Sequence, residues 1–165
     1  MSKVIILRGN SGSGKSTVAK ELIKSIKHKT VIVEQDYYRV HMFFPLGEHK
    51  EEVRELMLQN VLYCLAHDYD ILWVSIFHKP AAQDYFEEFF KNHHPADNFI
   101  FSFQTSFEES IKRHQTRPQK NEFGIKDMKE WYKPTEPLGY DFEFIIPESN
   151  TIQQTVKYIK DTAKI

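Results

Sequence analysis

The stretch Ile6–Lys20 reads ILRGNSGSGKSTVAK. A short apolar run leads into Gly and Ser, then one Lys, then two hydroxyls, then a helical pattern. Gly9-Asn10-Ser11-Gly12-Ser13-Gly14-Lys15-Ser16 satisfies G-x-x-x-x-G-K-[ST] at every position. It also has the context the motif requires. The run "KVIILRG" before it reads as a buried strand, and Val18, Ala19, Leu22, Ile23 and Ile26 after it recur at helical spacing. Glycines let such a loop bend with its N–H groups turned inward, so that a phosphate sits against them. The helix N-terminus adds the positive end of a dipole. Lys15 is then expected to reach β- and γ-phosphates as a point charge and to stand exposed in the empty protein. Ser16 can offer its hydroxyl to Mg²⁺, and Thr17 another phosphate contact. A plain Gly-rich turn is the bland alternative, and it leaves the lysine and the strand–helix context unexplained.

Outward from this loop, strand-like and helix-like segments alternate. "TVIVEQ", "DILWVSIF", "NFIFSFQ" and "FEFIIP" read as four further strands. Residues from about 51 to 67 form a helix with Val53, Met57, Val61, Cys64 and Leu65 on one face. Residues 82 to 92 form another, and its stripe of Tyr85, Phe86, Phe89 and Phe90 reads as core. Ser106 with Glu109, and Thr151 with Gln154, carry the capping-box spacing at the starts of two more helices. Ile152, Val156 and Ile159 give the last helix its apolar face. Strands separated by helices require crossover connections, hence a parallel sheet covered on both faces. Ligands in such sheets bind beyond the carboxyl ends of the strands.

The gross composition agrees. The 165 residues fit one domain, 1–165, with 41% hydrophobic and 27% charged residues and a formal net charge of −1. Nothing global attracts nucleic acid or an acidic membrane. One cysteine, Cys64, excludes an internal disulfide and suits a reducing compartment. The N-terminal apolar run is too short for a signal peptide, so a cytoplasmic protein is expected.

The other strand ends carry the remaining chemistry. In "EQDYYRV", Asp36 and Arg39 are three apart, and one helical turn puts them on the same side. There a carboxylate can orient and deprotonate a substrate hydroxyl while the arginine holds a substrate or phosphate oxygen. Alternatively Asp36 caps the short helix and Arg39 is solvated. In "KRHQTRPQK", Arg113 and Arg117 share a face near a helix end. They suit a mobile arm that brings positive charge to a transferring phosphoryl group, or simply cations that suit the helix dipole. The stretch that follows, with Phe123, Trp131 and Tyr132, reads as a lid spanning about 113–133. His78 follows the third strand and is a candidate substrate contact. The adjacent His93 and His94 face apart and make a poor metal pair.

On "GNSGSGKST", the D-x-x-R of "QDYYR" and the R-x-x-x-R of the lid, the chain resembles the small P-loop kinases. That group includes zeta toxins, chloramphenicol phosphotransferase and the kinase part of polynucleotide 5′-kinase. The resemblance spans nearly the whole chain. It implies a three-layer α/β/α fold of the adenylate-kinase type, with a five-stranded parallel sheet in the order 2-3-1-4-5 and a helical lid. It implies ATP and Mg²⁺ as cofactors, Asp36 as the catalytic carboxylate, and Arg113 and Arg117 as lid arginines. The expected activity is transfer of the γ-phosphoryl to a hydroxyl of a small molecule or nucleotide. A polynucleotide 5′-hydroxyl kinase and a nucleotide-binding regulatory protein without transfer chemistry are the alternatives. One position departs from the group. Where strand three often ends in an acidic residue, this chain has Val74 followed by Ser75, which removes an indirect ligand for Mg²⁺.

Overall fold

Period-two alternation in the first strand decides the layering. β1 (Lys3–Arg8) sends Val4 and Ile6 into one apolar cluster and Ile5 and Leu7 into another, because successive side chains of a strand point to opposite faces. All four are fully buried. A strand apolar on both faces has to lie inside a sheet covered on both sides. The computed structural model, described here for residues 2–43, 48–92, 97–116 and 124–165, shows that arrangement.

β1 is the central strand of five, in the order β2-β3-β1-β4-β5, and all four pairings are parallel. The others are β2 (Thr30–Glu34), β3 (Asp70–Ser75), β4 (Asp97–Gln104) and β5 (Glu143–Pro147). α1 (Lys15–Ile23) and α7 (Ile152–Ala163) pack on one face through Val18, Ala19, Leu22, Ile159 and Ala163. α3 (Lys50–Ala66) and α4 (Ala81–Asn92) cover the other through Val53, Met57, Val61, Phe86 and Phe89. Trp73 of β3 is the pivot of that second face, with the rings of Phe77, Tyr85, Phe86 and Phe89 at 5.3–5.7 Å. The expected aromatic stripe of α4 is therefore core. α2 (Gln35–Tyr37) is one short turn and continues into a π-helical turn over Tyr38–Met42. α5 (Phe107–His114) runs into the start of the expected lid segment, and α6 (Ile125–Trp131) lies within it. Arg117 and Phe123, like His93 and His94, lie outside the described residues.

Two local expectations are corrected. Ser106 does cap α5, accepting from the Glu109 N–H, but its own N–H donates to Glu148 Oε2 at 2.7 Å. Glu109 turns instead to Arg113 at 2.8 Å, so the capping box is only half formed. At α7 the box is complete between Thr151 and Gln154. There Thr155, Ile159 and Ala163 are the buried residues, and Ile152 is 40% exposed. Ile152 lines a cavity with Ile146 and Pro147 of β5 and does not join the core.

Candidate functional site

The Gly-rich loop leaves the end of β1 in the left-handed region. Gly9 has φ of +148°, and a Cβ there would lie 2.8 Å from the Phe103 carbonyl oxygen. Close approach of the backbone thus demands glycine at this position. Gly14, at φ +99°, is the residue from which α1 starts. The expectation that Lys15 stands exposed is corrected: it is 7% exposed. Its ammonium donates to Gly9 O at 2.6 Å, Asn10 O at 2.8 Å and Ser13 Oγ at 3.2 Å. The carbonyls that would otherwise face an incoming phosphate are held by the lysine that would meet it.

Next to Lys15, the Ser16 hydroxyl donates to the carboxylate of Glu34, the last residue of β2. Glu34 stands in register with Val74 on β3. The acidic residue missing from β3 is matched by a carboxylate one strand over, a residue the sequence reading passed over because it sought the acid on strand three alone. Ser16 and Glu34 together form a small oxygen-only donor set of the kind a hard cation takes. Among the described residues, no group of three or more His, Cys, Asp and Glu side chains could hold a metal ion. Phosphate oxygens and water would have to complete the shell.

β2 leads straight into Asp36 and Arg39. Gln35 is fixed from the neighbouring strand by Ser75 Oγ, 2.6 Å from Gln35 Oε1. Asp36 and Arg39 form an ion pair at 3.5 Å, with side chains 68% and 40% exposed. Asp36 makes no cap for α2: that helix starts after Glu34 without a side-chain cap. The Asp36 side chain is therefore largely in solvent and that of Arg39 partly so, just past the end of β2.

His78 lies just past the end of β3. Phe77, at φ +46°, holds a left-handed backbone rare for a non-glycine residue. Its carbonyl accepts from Arg8 Nε at 3.1 Å, and its ring packs 4.6 Å from Phe86. His78 comes next, partly buried. Burial, then the positive charges of Lys133, Arg8 and Lys15, pull its pKa down to about 4. The imidazole is neutral at pH 7.

Arg8 itself is fully buried one residue before the loop. It donates to Ser102 Oγ at 2.9 Å, Glu136 O at 2.9 Å and Glu143 Oε1 at 3.0 Å. A buried ion pair of this kind is costly to break, about 3–5 kcal/mol when one partner is removed. It fixes where β1 ends and the loop begins. The sequence offered only a charged residue at a strand end, too common a signal to single out.

On the other side of the loop lies a cavity of about 360 Å³. Gly12, Gly14, Thr17, Arg113, Ile152 and Thr155 are among the residues that line it. Arg113 is anchored there and not extended as an arm. It donates to Ser13 O at 3.0 Å, Glu148 O at 2.8 Å and Glu109 Oε1 at 2.8 Å. The loop thus borders a cavity lined by Thr17 and Arg113, while Ser16 meets Glu34 at the end of β2, and Glu34, Asp36, Arg39 and His78 all lie outside that lining. Among the described residues no helix is long and apolar enough to cross a membrane.

No curated protein is a significant match to the sequence. Solved structures share the fold at low identity. The APS kinase CysC of Mycobacterium tuberculosis, in complex with AMPPNP and APS, is 14% identical over 99% of this chain and 98% of its own, with a TM-score of 0.74. A sugar kinase from Janibacter is 13% identical over 100% and 96%, at 0.67. A gluconokinase from Sinorhizobium meliloti is 16% identical over 98% and 91%, at 0.64. These similarities place the chain in the α/β P-loop fold. The AAA domain family matches residues 4–135, from the first strand to just past Tyr132. The chain belongs to the AAA domain family.

Proposed function

We propose that this protein is an ATP-dependent phosphotransferase that moves the γ-phosphoryl group to a hydroxyl of a small molecule or nucleotide. The observation that carries the reading is the exposed Asp36–Arg39 pair outside the lining of the cavity beside the phosphate loop. The cavity suits the nucleoside of the donor. The exposed carboxylate and arginine suit an acceptor. A nucleotide sensor needs only the first. Kinases among the fold relatives support the same reading. The D-x-x-R of Asp36 and Arg39 favours the group of zeta toxins, chloramphenicol phosphotransferase and polynucleotide 5′-kinase. A cytoplasmic supply of ATP suits such an enzyme.

In this mechanism the Lys15 ammonium leaves the loop carbonyls for the β- and γ-phosphates, and the loop N–H groups hold them. Ser16 and Glu34 would hold Mg²⁺, which supplies neutralisation of phosphate charge when bound. Asp36 accepts the proton of the acceptor hydroxyl as the acceptor O–P bond forms and the bond from Pγ to the β–γ bridging oxygen breaks, leaving ADP. Arg39 orients the acceptor, and neutral His78 offers it a hydrogen bond. Arg113 braces the donor cavity, and Arg117 is assigned the charge brought to the transferring group.

The test is a screen of hydroxyl compounds with γ-labelled ATP, run on the parent chain and on Lys15→Ala. Label transfer to an acceptor by the parent, lost in Lys15→Ala with folding intact, is the expected result. ATP binding without transfer to any acceptor would favour a regulatory nucleotide-binding protein.

A further inference from the structure

The segment that leaves α6 returns to β5 as an extended strap over Lys133–Gly139. It is tied down along its length. Arg8 Nη1 donates to Glu136 O at 2.9 Å and Lys79 Nζ to Pro137 O at 3.2 Å. The N–H groups of Leu138 and Gly139 donate to Glu143 Oε2 at 2.6 and 3.0 Å. Its first residue is tied to the phosphate loop itself. Asn10 Nδ2 donates to Lys133 O at 2.6 Å, and the Lys133 N–H donates back to Asn10 Oδ1 at 3.2 Å. This two-bond clasp engages the side chain of a loop residue that is 3% exposed. The carbonyl of the same Asn10 accepts from Lys15 Nζ at 2.8 Å.

The backbone of Lys133 is therefore seated on the residue that also holds the Lys15 ammonium. Its own side chain is exposed. Among the described residues no ion pair or hydrogen bond engages its ammonium. The clasp keeps the root of this side chain beside the loop residue that also holds Lys15, and the positive charges of both lysines help lower the pKa of His78. A long flexible stem on a fixed backbone places a compact cation at short range without ordering it beforehand.

We infer that Lys133 is a further catalytic residue, clasped by Asn10 so that its ammonium joins Lys15 at the terminal phosphoryl group of the donor. Phosphoryl transfer gathers negative charge on the oxygens of the moving group, and its catalysis is mostly positioned positive charge. The Asn10 side chain then acts as a positioning group, since it reaches the phosphoryl through Lys133. The clasp also ties the stretch that follows α6 to the loop.

This inference rests on the kinase reading above, and its test needs no acceptor. Affinities for ADP and for AMPPNP, both with Mg²⁺, are measured by titration calorimetry on the full chain, on Lys133→Met, Lys133→Arg and Asn10→Ala. The two nucleotides differ by the terminal group, so their affinity ratio isolates it. Lys133→Met is expected to lower the AMPPNP-to-ADP affinity ratio about tenfold, the size of one charge-assisted hydrogen bond. ADP affinity should hold, and Lys133→Arg should restore most of the ratio. Asn10→Ala should shift it the same way with Lys133 still present. An unchanged ratio in Lys133→Met, with AMPPNP still bound, would overturn the role of Lys133 and leave the kinase reading standing. A parent chain that binds neither nucleotide would overturn both.

Discussion

The hydroxyl of Ser16 donates to the carboxylate of Glu34 across the gap between the first helix and the second strand. Glu34 is level with Val74 on the adjacent strand, so a carboxylate absent from the end of β3 is present at nearly the same height of the sheet. Glu34→Gln keeps the shape and an acceptor for Ser16 but removes the charge. Residues that orient or support a metal site typically cost about 10–100-fold in affinity when changed. Titration of Mg²⁺ against nucleotide binding should show a loss of that size in Glu34→Gln, with metal-free ADP binding preserved. Equal Mg²⁺ dependence in the two proteins would take Glu34 out of the metal site.

Arg113 cross-braces the cavity beside the phosphate loop through Ser13 O and Glu148 O. Arg113→Ala should loosen both walls. The expected effect is a weaker grip on ADP and ATP alike, with KM for ATP rising more than kcat falls, because the contacts are made before the reaction starts. Stability should drop by about 1–3 kcal/mol, since two backbone carbonyls and Glu109 lose a donor. A fall in kcat at unchanged ADP affinity would instead mean that Arg113 leaves its brace to meet the transferring phosphoryl.

His78 makes stability depend on pH in a defined window. Its folded pKa is pulled down to about 4 by burial and by Lys133, Arg8 and Lys15, against about 6.5 for an unfolded histidine. Between these values the unfolded chain binds the proton and the native chain does not. The stabilising contribution is therefore complete above pH 6.5 and is lost as the pH falls towards 4. His78→Asn should flatten this part of the profile. The readout is the difference in Tm between pH 7.5 and pH 5, which should be smaller in the variant than in the parent. Identical slopes would place His78 outside the cationic field.

The layering of this fold was open to sequence reading because the strands stand out as apolar runs, β-branched in β1 and β2 and rich in Phe in β4, separated by helical segments. Gly9 to Ser16 was readable for a different reason: its chemistry lies in consecutive residues. Contacts between distant residues had no such signal. Glu34 becomes a metal-site candidate only when β2 is placed beside β3, and Arg8 finds Glu143 only across two strands. Lys15 was expected to be exposed because the sequence shows a cation beside glycines, not the carbonyls that curl around it. Glu148 took the Ser106 N–H that the spacing assigned to Glu109, a competition between a local and a distant carboxylate that spacing alone does not decide.

Asp36 decides between a kinase and a nucleotide sensor. A hydroxyl is a poor nucleophile at pH 7, and a carboxylate within hydrogen-bond reach both orients it and takes its proton as the O–P bond forms. General-base assistance is worth about 10²–10⁴ in rate, so Asp36→Asn should lose about 3–5 kcal/mol of transition-state stabilisation. The ion pair with Arg39 is solvent-exposed at 3.5 Å. Its loss should move stability by no more than about 0.5–1 kcal/mol. Asp36 is not among the residues lining the cavity beside the phosphate loop, so ATP affinity should stay within about twofold of the parent, on the usual near-independence of separate sites. The measurement is ATP affinity, Tm and acceptor phosphorylation for parent and Asp36→Asn, using the first hydroxyl compound that takes label. Lost transfer with intact fold and ATP binding assigns the proton to Asp36. Full transfer by Asp36→Asn would remove the residue from the mechanism and leave Arg39 and His78 as orienting groups around a hydroxyl that loses its proton to water or to the phosphoryl oxygens themselves.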